Sequence, residues 1–284
     1  MTGTGTQADP YVPSIWSEFV TAIGTQNAYV ALAAGTVWDM NEIAPTGVGL
    51  ITVNAVSIAG NCAEIKNLFF NNGGFKLQYN VTISNLKFIN MLAESCNYIF
   101  GIDVYEYRYP YLSKVSISGK LVDSTLLKSG VAYDQGRQKM TLSQCAINLE
   151  FSGTSAFAKV GTGSYEHIAL SACNIKTAGT SSNTSSQTFK IENSLWTGDW
   201  VLKYASIVGG SNVVSSNSIF DVNVPSTAEI SVNSSYTGNV RQCLINSDKI
   251  TSGASVAAQL TGVTTEQLHS AAYLDSIGFP IATS

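Results

Sequence analysis

The sequence predicts an all-β protein: a single-stranded right-handed parallel β-helix of about eight coils, with short N- and C-terminal capping helices. Three observations lead to this prediction. A strand–bend–strand pattern recurs along the middle of the chain, the composition is rich in Gly, Ser, Thr and Asn, and an amphipathic segment lies near each end.

The repeat has two apolar residues at alternate positions, two small or polar residues, and then two more alternating apolar residues. Copies are Ala63-Ile65-Leu68-Phe70, Val81-Ile83-Leu86-Phe88, Met140-Leu142-Cys145-Ile147, Ile168-Leu170-Cys173-Ile175 and Phe189-Ile191-Ser194-Trp196. Alternate residues of a strand share one face, so each copy predicts two short strands joined by a bend such as Ser84-Asn85. One copy cannot bury its apolar face alone, and copies must therefore stack.

The copies also predict how the chain is divided. They start near residues 63, 81, 115, 140, 168, 189, 212 and 238. We therefore expect an N-terminal cap with a short helix over residues 1–50, a β-helix over residues 51–250, and a C-terminal helix and tail over residues 251–284. An antiparallel sandwich is the alternative fold, but it would place hairpin dipeptides between strands, and Asn72-Gly73 is not repeated.

Both terminal segments have helix signals. Ser14 is a plausible N-cap for a helix that ends at Gly24, and its apolar residues Trp16, Phe19, Val20 and Ile23 would cover the open end of the stack. Near the other end, Thr264 to Gln267 matches a capping box, and this helix is predicted to run to about Ser276. The second helix is expected to be either a second cap or a docking peptide.

Charge and composition exclude several functional classes. Only 12% of the residues are Asp, Glu, Lys or Arg, against roughly 25% in ordinary domains. The net charge is −4 and the basic residues are scattered singly, so we expect no nucleic-acid binding. No apolar run reaches the length of a membrane span and no basic segment precedes one, so we expect no membrane segment and no signal peptide.

The five cysteines are separated in sequence and lack metal-ligand spacing, so no metal and no cofactor is expected. All five are expected to be buried, reduced thiols. Cys145, Cys173 and Cys243 occupy the same repeat position as Leu68 and Leu86. They are predicted to form an internal column of buried, reduced thiols beside Ser194.

The candidate binding residues are aromatic. Tyr105, Tyr107, Tyr109 and Tyr111 alternate in the longest interval between copies, so an extended chain would put them on one face. They are expected either to cover neighbouring coils or to serve as a subunit interface or a glycan platform. Trp196 and Trp200 flank Gly198-Asp199 and are expected to pack on a coil or to present a small binding patch.

Catalysis is not expected. Glycoside hydrolysis needs two carboxyl groups about 5 to 10 Å apart. In a β-helix this requires acidic residues at matching positions of neighbouring coils, and no such pair is found in the repeat. The acidic and basic residues that loops could still bring together are Asp103, Glu106, Asp134 and Arg137. By default we interpret them as charged side chains that face solvent in turns.

Both ends of the chain resemble surface proteins of tailed bacteriophages and prophages with a pectate-lyase-like β-helix. The resemblance rests on the opening Gly3 to Tyr11, Trp16, Phe19 and Trp38 to Asn41, and on the ending Thr265 to Leu268, Ala272 to Leu274 and Ser276 to Ile281. It implies a structural virion protein, such as a fibre, spike or decoration of the capsid or tail, assembled in the host cytoplasm and displayed on the particle surface. No catalytic residues follow from it.

The resemblance also implies the partners: other virion proteins, and the chain itself as a homotrimer. Two alternatives stay open. The chain could be a receptor-binding module that holds host cell-surface glycans, or a tail spike that degrades such polysaccharides.

Overall fold

The chain is a right-handed parallel β-helix, as predicted. The structure, a computed structural model, describes residues 1–102, 109–128, 139–159, 167–183, 186–207, 215–232 and 240–279. Its 25 described strands form one continuous parallel sheet that winds around a single main core. Among the described residues, no helix is long and apolar enough to cross a membrane.

The strands fall on three faces, which are defined here by their pairing. The first face comprises β1 (Tyr29–Ala31), the start of β4 (Ser57–Lys66), the start of β6 (Thr82–Glu94), β8 (Tyr111–Ser113), β11 (Lys139–Ser143), β14 (His167–Ser171), the end of β16 (Ser186–Glu192), β19 (Ser215–Ser216) and β22 (Val240–Arg241).

The second face runs parallel to the first along the stack. It comprises β2 (Val37–Asp39), the ends of β4 and β6, β9 (Ser116–Val122), β12 (Ala146–Ser152), β15 (Asn174–Gly179), β17 (Leu195–Asp199), β20 (Ile219–Asn223), β23 (Leu244–Asn246) and β25 (Thr261–Val263).

The third face closes the coil. It comprises β3 (Val48–Val53), β5 (Phe69–Leu77), β7 (Phe100–Gly101), β10 (Thr125–Lys128), β13 (Ala156–Lys159), the start of β16, β18 (Tyr204–Ile207), β21 (Glu229–Val232) and β24 (Ser255–Val256). Pairing thus already includes β1 and β2, within the segment predicted as the N-terminal cap, and continues to Val263.

The inward residues of the second face stack in one register along the molecule. Each partner lies directly below the next in the ladder Trp38, Ile65, Phe88, Ile117, Ile147, Ile175, Trp196, Phe220 and Ile245. All nine are buried. Truncating such a buried aromatic residue to Ala typically costs about 3–5 kcal/mol, so this column contributes strongly to the stability of the stack.

The bend between the first and second faces is a single residue with left-handed backbone. The bend residues Asn85, Lys114, Gln144, Ala172, Asn193, Asn217 and Gln242 have φ between 48° and 54°. Asn tolerates this region better than most residues, which explains its presence at three of the seven bends. Asn217 Nδ2 also donates to Asn193 Oδ1 at 3.3 Å, which links two successive turns.

The first repeat copy was assigned in the wrong register. Ala63 pairs with Leu86 and Ile65 with Phe88, so this pair belongs to the second face and not to the first. The first-face strand of this turn is Ser57–Ala59, which precedes an irregularity where Asn61 and Cys62 both have positive φ. This bend is longer than the two-residue bend of the repeat. The repeat pattern therefore does not identify Ser57–Ala59 as the first-face strand of this turn.

The N-terminal helix α1 (Trp16–Gly24) ends at the predicted residue and buries Trp16, Phe19, Ala22 and Ile23. Its N-cap is Ile15, which corrects the prediction of Ser14. The Ser14 N–H and Oγ–H instead both donate to Glu18 Oε2, at 2.8 and 2.9 Å. A short helix α2 (Met40–Ile43) follows β2, capped by Asp39.

The C-terminal helix is interrupted. Thr264 and Gln267 form the predicted capping box of α3 (Thr265–Leu268), but Ser270 caps a separate helix, α4 (Ala271–Ser276). A 3-10 helix (Ser247–Lys249) precedes them. Leu268, Leu274 and Phe279 pack with Leu244 and Val263 in a second cluster, separate from the main core. Since Ile245 faces the main core, its neighbour Leu244 faces outward, and the helix pair covers the outer side of the last turns.

Candidate functional site

A groove crosses the corner between the second and third faces near the C-terminal half of the stack. It has a volume of about 470 Å³ and is lined by Gly179, Thr180, Ser181, Asp199, Trp200, Val201, Leu202, Lys203, Asn223, Val224, Pro225, Thr227 and Thr251. These residues follow the second-face strands of four successive turns, so the groove runs along the axis of the stack. Its size is in the range of small-ligand sites.

Asp199 holds the turns of the groove together. Its Oδ2 accepts from the Gly179 N–H at 3.0 Å, and its Oδ1 accepts from Asn223 Nδ2 at 3.0 Å. Its backbone carbonyl accepts from Thr177 Oγ1 at 2.6 Å. Gly179 has φ of 91°, and a Cβ there would lie 2.4 Å from the Phe151 carbonyl oxygen, so only glycine lets the turn approach this closely.

Trp196 and Trp200 were expected either to pack on a coil or to present a small binding patch, and the structure places both in the core, so they form no surface patch. Trp196 is 1% and Trp200 is 3% exposed, and their ring centroids are 5.1 Å apart. Trp196 Nε1 donates to Thr177 Oγ1 at 2.9 Å. Trp200 forms the closed floor of the groove, and its buried Nε1 has no hydrogen-bond partner among the described residues. Neither ring is accessible to a ligand. Side chains alternate between the two faces of an extended chain, so Trp196 and Trp200, on either side of Gly198-Asp199, both point toward the coil interior.

The accessible groups of the groove are mostly hydroxyls and amides. Thr180, Thr227, Thr251 and Asn223 are exposed, and Lys203 Nζ lies 5.3 Å from the centre of the Tyr204 ring. Asp199 is the one carboxylate among the lining residues. The lining therefore offers hydrogen bonds to a neutral polar ligand, while it lacks the carboxyl pair that glycoside hydrolysis requires.

Two of the four predicted tyrosines are described, and both are exposed: Tyr111 on the first face and Tyr109 just before it. Tyr109 is 44% and Tyr111 is 38% exposed, with Pro110 and Leu112 buried between and beyond them. Tyr111 pairs with Thr82 on one side and Thr141 on the other. Tyr105 and Tyr107 lie outside the described residues, as do Asp103, Glu106, Asp134 and Arg137.

The predicted internal column of thiols exists. Cys145, Cys173 and Cys243 are buried, and the Cys173 N–H donates to Ser194 Oγ at 3.0 Å. The column continues at Ser218, whose Oγ accepts from the Ser194 N–H at 3.3 Å. A hydrogen bond with the Cys173 thiol, together with burial, raises the pKa of Cys145, and burial raises the pKa of Cys243 to about 11.

Sequence reasoning missed three features here. Cys62 is exposed, contrary to the expectation that the thiols are buried. A second internal column was overlooked, in which the Cys96 N–H donates to Ser124 Oγ at 3.0 Å and the Ser124 N–H to Ser155 Oγ at 3.2 Å. The groove was also missed, because it depends on residues such as Asp199 and Asn223 that meet only across neighbouring turns.

The architecture and the groove are thus defined by the chain's own contacts. Comparison with protein-family models, with curated proteins and with solved structures finds no match to this chain.

Proposed function

We propose that the chain is a structural protein of a tailed-phage virion, a rigid fibre, spike or decoration displayed on the particle surface. The observation that carries the proposal is the unbroken core that runs through every described turn, from Trp16 in α1 to Leu260 after the last third-face strand. Such a stack is a stiff rod with short protected edges, which suits display outside a particle. The resemblance of both termini to phage surface proteins supports the same assignment.

The low charge and the many exposed hydroxyl and amide side chains agree with a surface that faces solvent around the rod. The buried thiols with raised pKa agree with folding in a reducing host cytoplasm before assembly. The partners of this proposal are other virion proteins, with a homotrimer as the proposed oligomeric state.

Cryo-electron microscopy of intact particles that carry this chain tests the proposal. Rod-shaped density on the capsid lattice would identify a capsid decoration or head fibre, and density at the baseplate would identify a tail component. Purified particles that lack the chain by mass spectrometry would refute the proposal. Sedimentation of the isolated chain tests the trimer, which a monomer at micromolar concentration would contradict.

A second candidate function is host-glycan binding, and the groove favours it. Linear polysaccharides have repeating hydroxyl groups, and the groove presents exposed threonines from three of its four turns, Thr180, Thr227 and Thr251. Asn223 and Lys203 add an amide and a cation at its rim.

Calorimetric titration with host cell-wall polysaccharide fragments tests this function. The double variant Thr227→Val and Thr251→Val keeps side-chain volume but removes two hydroxyls, and we expect it to weaken binding about tenfold. Thr261→Val, in an exposed position of β25 away from the groove, is the matched control. Equal affinities for all three proteins would rule out binding in the groove.

A further inference from the structure

The tyrosine segment that the sequence singled out leaves two aromatic side chains open to solvent. Among the residues that the structure describes, Tyr109 and Tyr111 are the two aromatic residues that are exposed, at 44% and 38%. Each is fixed through its backbone: the Tyr109 N–H donates to Asn80 Oδ1 at 2.7 Å, and the Tyr111 N–H donates to the Val81 carbonyl oxygen at 2.9 Å. Neither ring stacks on another described ring, and neither phenol hydroxyl hydrogen-bonds to a described residue.

The residues around Tyr111 on the first face are small and uncharged. Tyr111 pairs with Thr82 in the turn before it and with Thr141 in the turn after it. The outward residues of this region, whose neighbours along each strand are buried, are Thr82, Ser84, Tyr111, Ser113, Thr141, Ser143, Ala169 and Ser171. None of their hydroxyl groups forms a hydrogen bond within the described part of the chain. Tyr109 and these residues are called the tyrosine platform below, and Lys114 borders it at the bend.

The composition of the tyrosine platform indicates the kind of ligand. Its residues carry no charge, so a charged ligand would find no counter-ion among them. A protein partner would need a broad apolar centre, whereas this face offers two rings set among hydroxyl groups. Sugars match both parts of the platform, because their C–H faces pack on aromatic rings and their hydroxyls exchange hydrogen bonds with Ser and Thr.

The spacing of the platform favours a polysaccharide over a single sugar. Neighbouring strands lie about 4.8 Å apart, so Ser84, Ser113, Ser143 and Ser171 form a column of hydroxyls with that repeat. One pyranose residue extends a β-linked chain by a similar length, so successive sugars can meet successive turns. In a β-1,4-linked glucan the substituents are equatorial, and both faces of each ring are therefore lined by C–H groups that can pack on Tyr111.

We propose that the tyrosine platform binds a neutral β-linked polysaccharide, with one pyranose ring on Tyr111 and the next rings along the serine column. Thr82, Thr141 and the phenol hydroxyl hydrogen-bond to the hydroxyls of the stacked ring. The platform lies on the first face, away from the groove at the corner between the second and third faces. Its binding therefore depends neither on the groove nor on the proposed virion role.

Calorimetric titration of the full chain with hexasaccharides tests the proposal. The probes are β-1,4-glucan, N-acetylated β-1,4-glucan and β-1,3-glucan, with β-1,4-linked glucuronic acid as the charged counterpart. We expect a neutral hexasaccharide to bind, and Tyr111→Ala to weaken this binding about tenfold. Tyr111→Phe keeps the ring and should stay within about threefold of the parent. Leu195→Ala, at a residue of the second face that is 36% exposed, is the matched control and should bind like the parent.

The outcomes separate the platform from its alternatives. Lack of binding by every neutral hexasaccharide would overturn the proposal. Binding that Tyr111→Ala leaves unchanged, but that the double variant Thr227→Val and Thr251→Val weakens, would overturn the platform in favour of the groove. Tighter binding of the charged counterpart, reduced by salt, would overturn the neutral assignment and indicate Lys114. Self-association of the free chain that Tyr111→Ala abolishes would overturn the sugar assignment in favour of a second copy.

Discussion

Asn223 Nδ2 donates to Asp199 Oδ1 at 3.0 Å across two successive turns of the solenoid. Because Asp199 Oδ2 also accepts from the Gly179 N–H, one carboxylate fastens three turns at the corner where the groove lies. The groove therefore has a rigid wall built from side chains that are already hydrogen-bonded before any ligand arrives. Such pre-organisation lowers the entropic cost of binding.

The first prediction concerns this carboxylate. Asp199→Asn replaces one of the two acceptor oxygens by an NH2 group. Because each oxygen of Asp199 accepts a hydrogen bond, this NH2 group would face a donor, either the Gly179 N–H or Asn223 Nδ2. We expect the free energy of unfolding to fall by about 1–2 kcal/mol, measured by urea denaturation at pH 7. Asp9→Asn, at an exposed residue, is the control and should change stability little. A parental midpoint for Asp199→Asn would show that the three-turn contact contributes nothing.

The second prediction concerns the bend between the first and second faces. Ala172 has φ of 52°, a conformation that Asn adopts at lower cost than Ala, and it is exposed. Ala172→Asn should raise the free energy of unfolding by about 0.5–1 kcal/mol. Ala178→Asn, at an exposed position of β15 with no left-handed backbone, is the matched control and should be neutral or destabilising. Destabilisation at residue 172 comparable to the control would contradict the role of the left-handed bend.

The third prediction concerns the thiols. Cys62 is exposed, whereas Cys96, Cys145, Cys173 and Cys243 are buried, and burial raises the pKa of Cys96 and Cys243. Since the thiolate is the reactive form, Cys62 should be labelled rapidly by iodoacetamide at pH 8 in the native protein. The other four should be labelled only in denaturant. Cys62→Ser should abolish native labelling, and rapid labelling of a second thiol would show that the internal columns open to solvent.

The fourth prediction concerns pH. Burial alone would raise the pKa of Asp221, but hydrogen bonds from Lys249 Nζ at 2.8 Å and Asn246 Nδ2 at 2.7 Å outweigh it, and the pKa is lowered. Because the pKa of Asp221 is lower in the folded state, its ionised carboxylate stabilises the fold at pH values above the unfolded pKa of about 3.9. This stabilisation is lost as the pH falls through the folded pKa. Asp221→Asn should therefore lower the melting temperature at pH 7, with a difference that shrinks below about pH 4.

Asp275→Asn, at an exposed residue of α4, is the control for Asp221→Asn. Its melting temperature should equal that of the parent both at pH 7 and below about pH 4. Asn246 Nδ2 also donates to Thr265 Oγ1 at 3.0 Å, so the same network ties the C-terminal helices to the stack. A pH-independent difference for Asp221→Asn would indicate that its packing matters and its charge does not.

The alternation of apolar residues was sufficient to predict the solenoid, because the inward residues of each short strand recur in register from turn to turn. It failed where the backbone departs from the repeat. At Asn61 and Cys62 two successive left-handed residues lengthen the bend, and no pattern of side-chain polarity reports this. The break between α3 and α4 also depends on a local hydrogen bond, from the Tyr273 N–H to Ser270 Oγ.

The site was harder to predict than the fold. Trp196 and Trp200 flank a Gly-Asp pair, which is typical of a surface loop, yet the register of the second face turns Trp196 inward against Ile175 and Phe220. The groove depends on which residues meet across turns, and this follows only once the coils are aligned. Asp199 and Asn223 lie 24 residues apart in sequence and one turn apart in space.

The closed N-terminal end has a consequence for how the protein is made. Most strands of the solenoid pair with a strand one turn before and a strand one turn after, and α1, which covers the first turn, is synthesised before them. A nascent chain can therefore add each turn to a completed template as that turn leaves the ribosome, without waiting for distant sequence. We expect the turns to fold one after another during synthesis. Folding would begin with the aromatic contact of Trp16 with Trp38 and end when the last two helices dock.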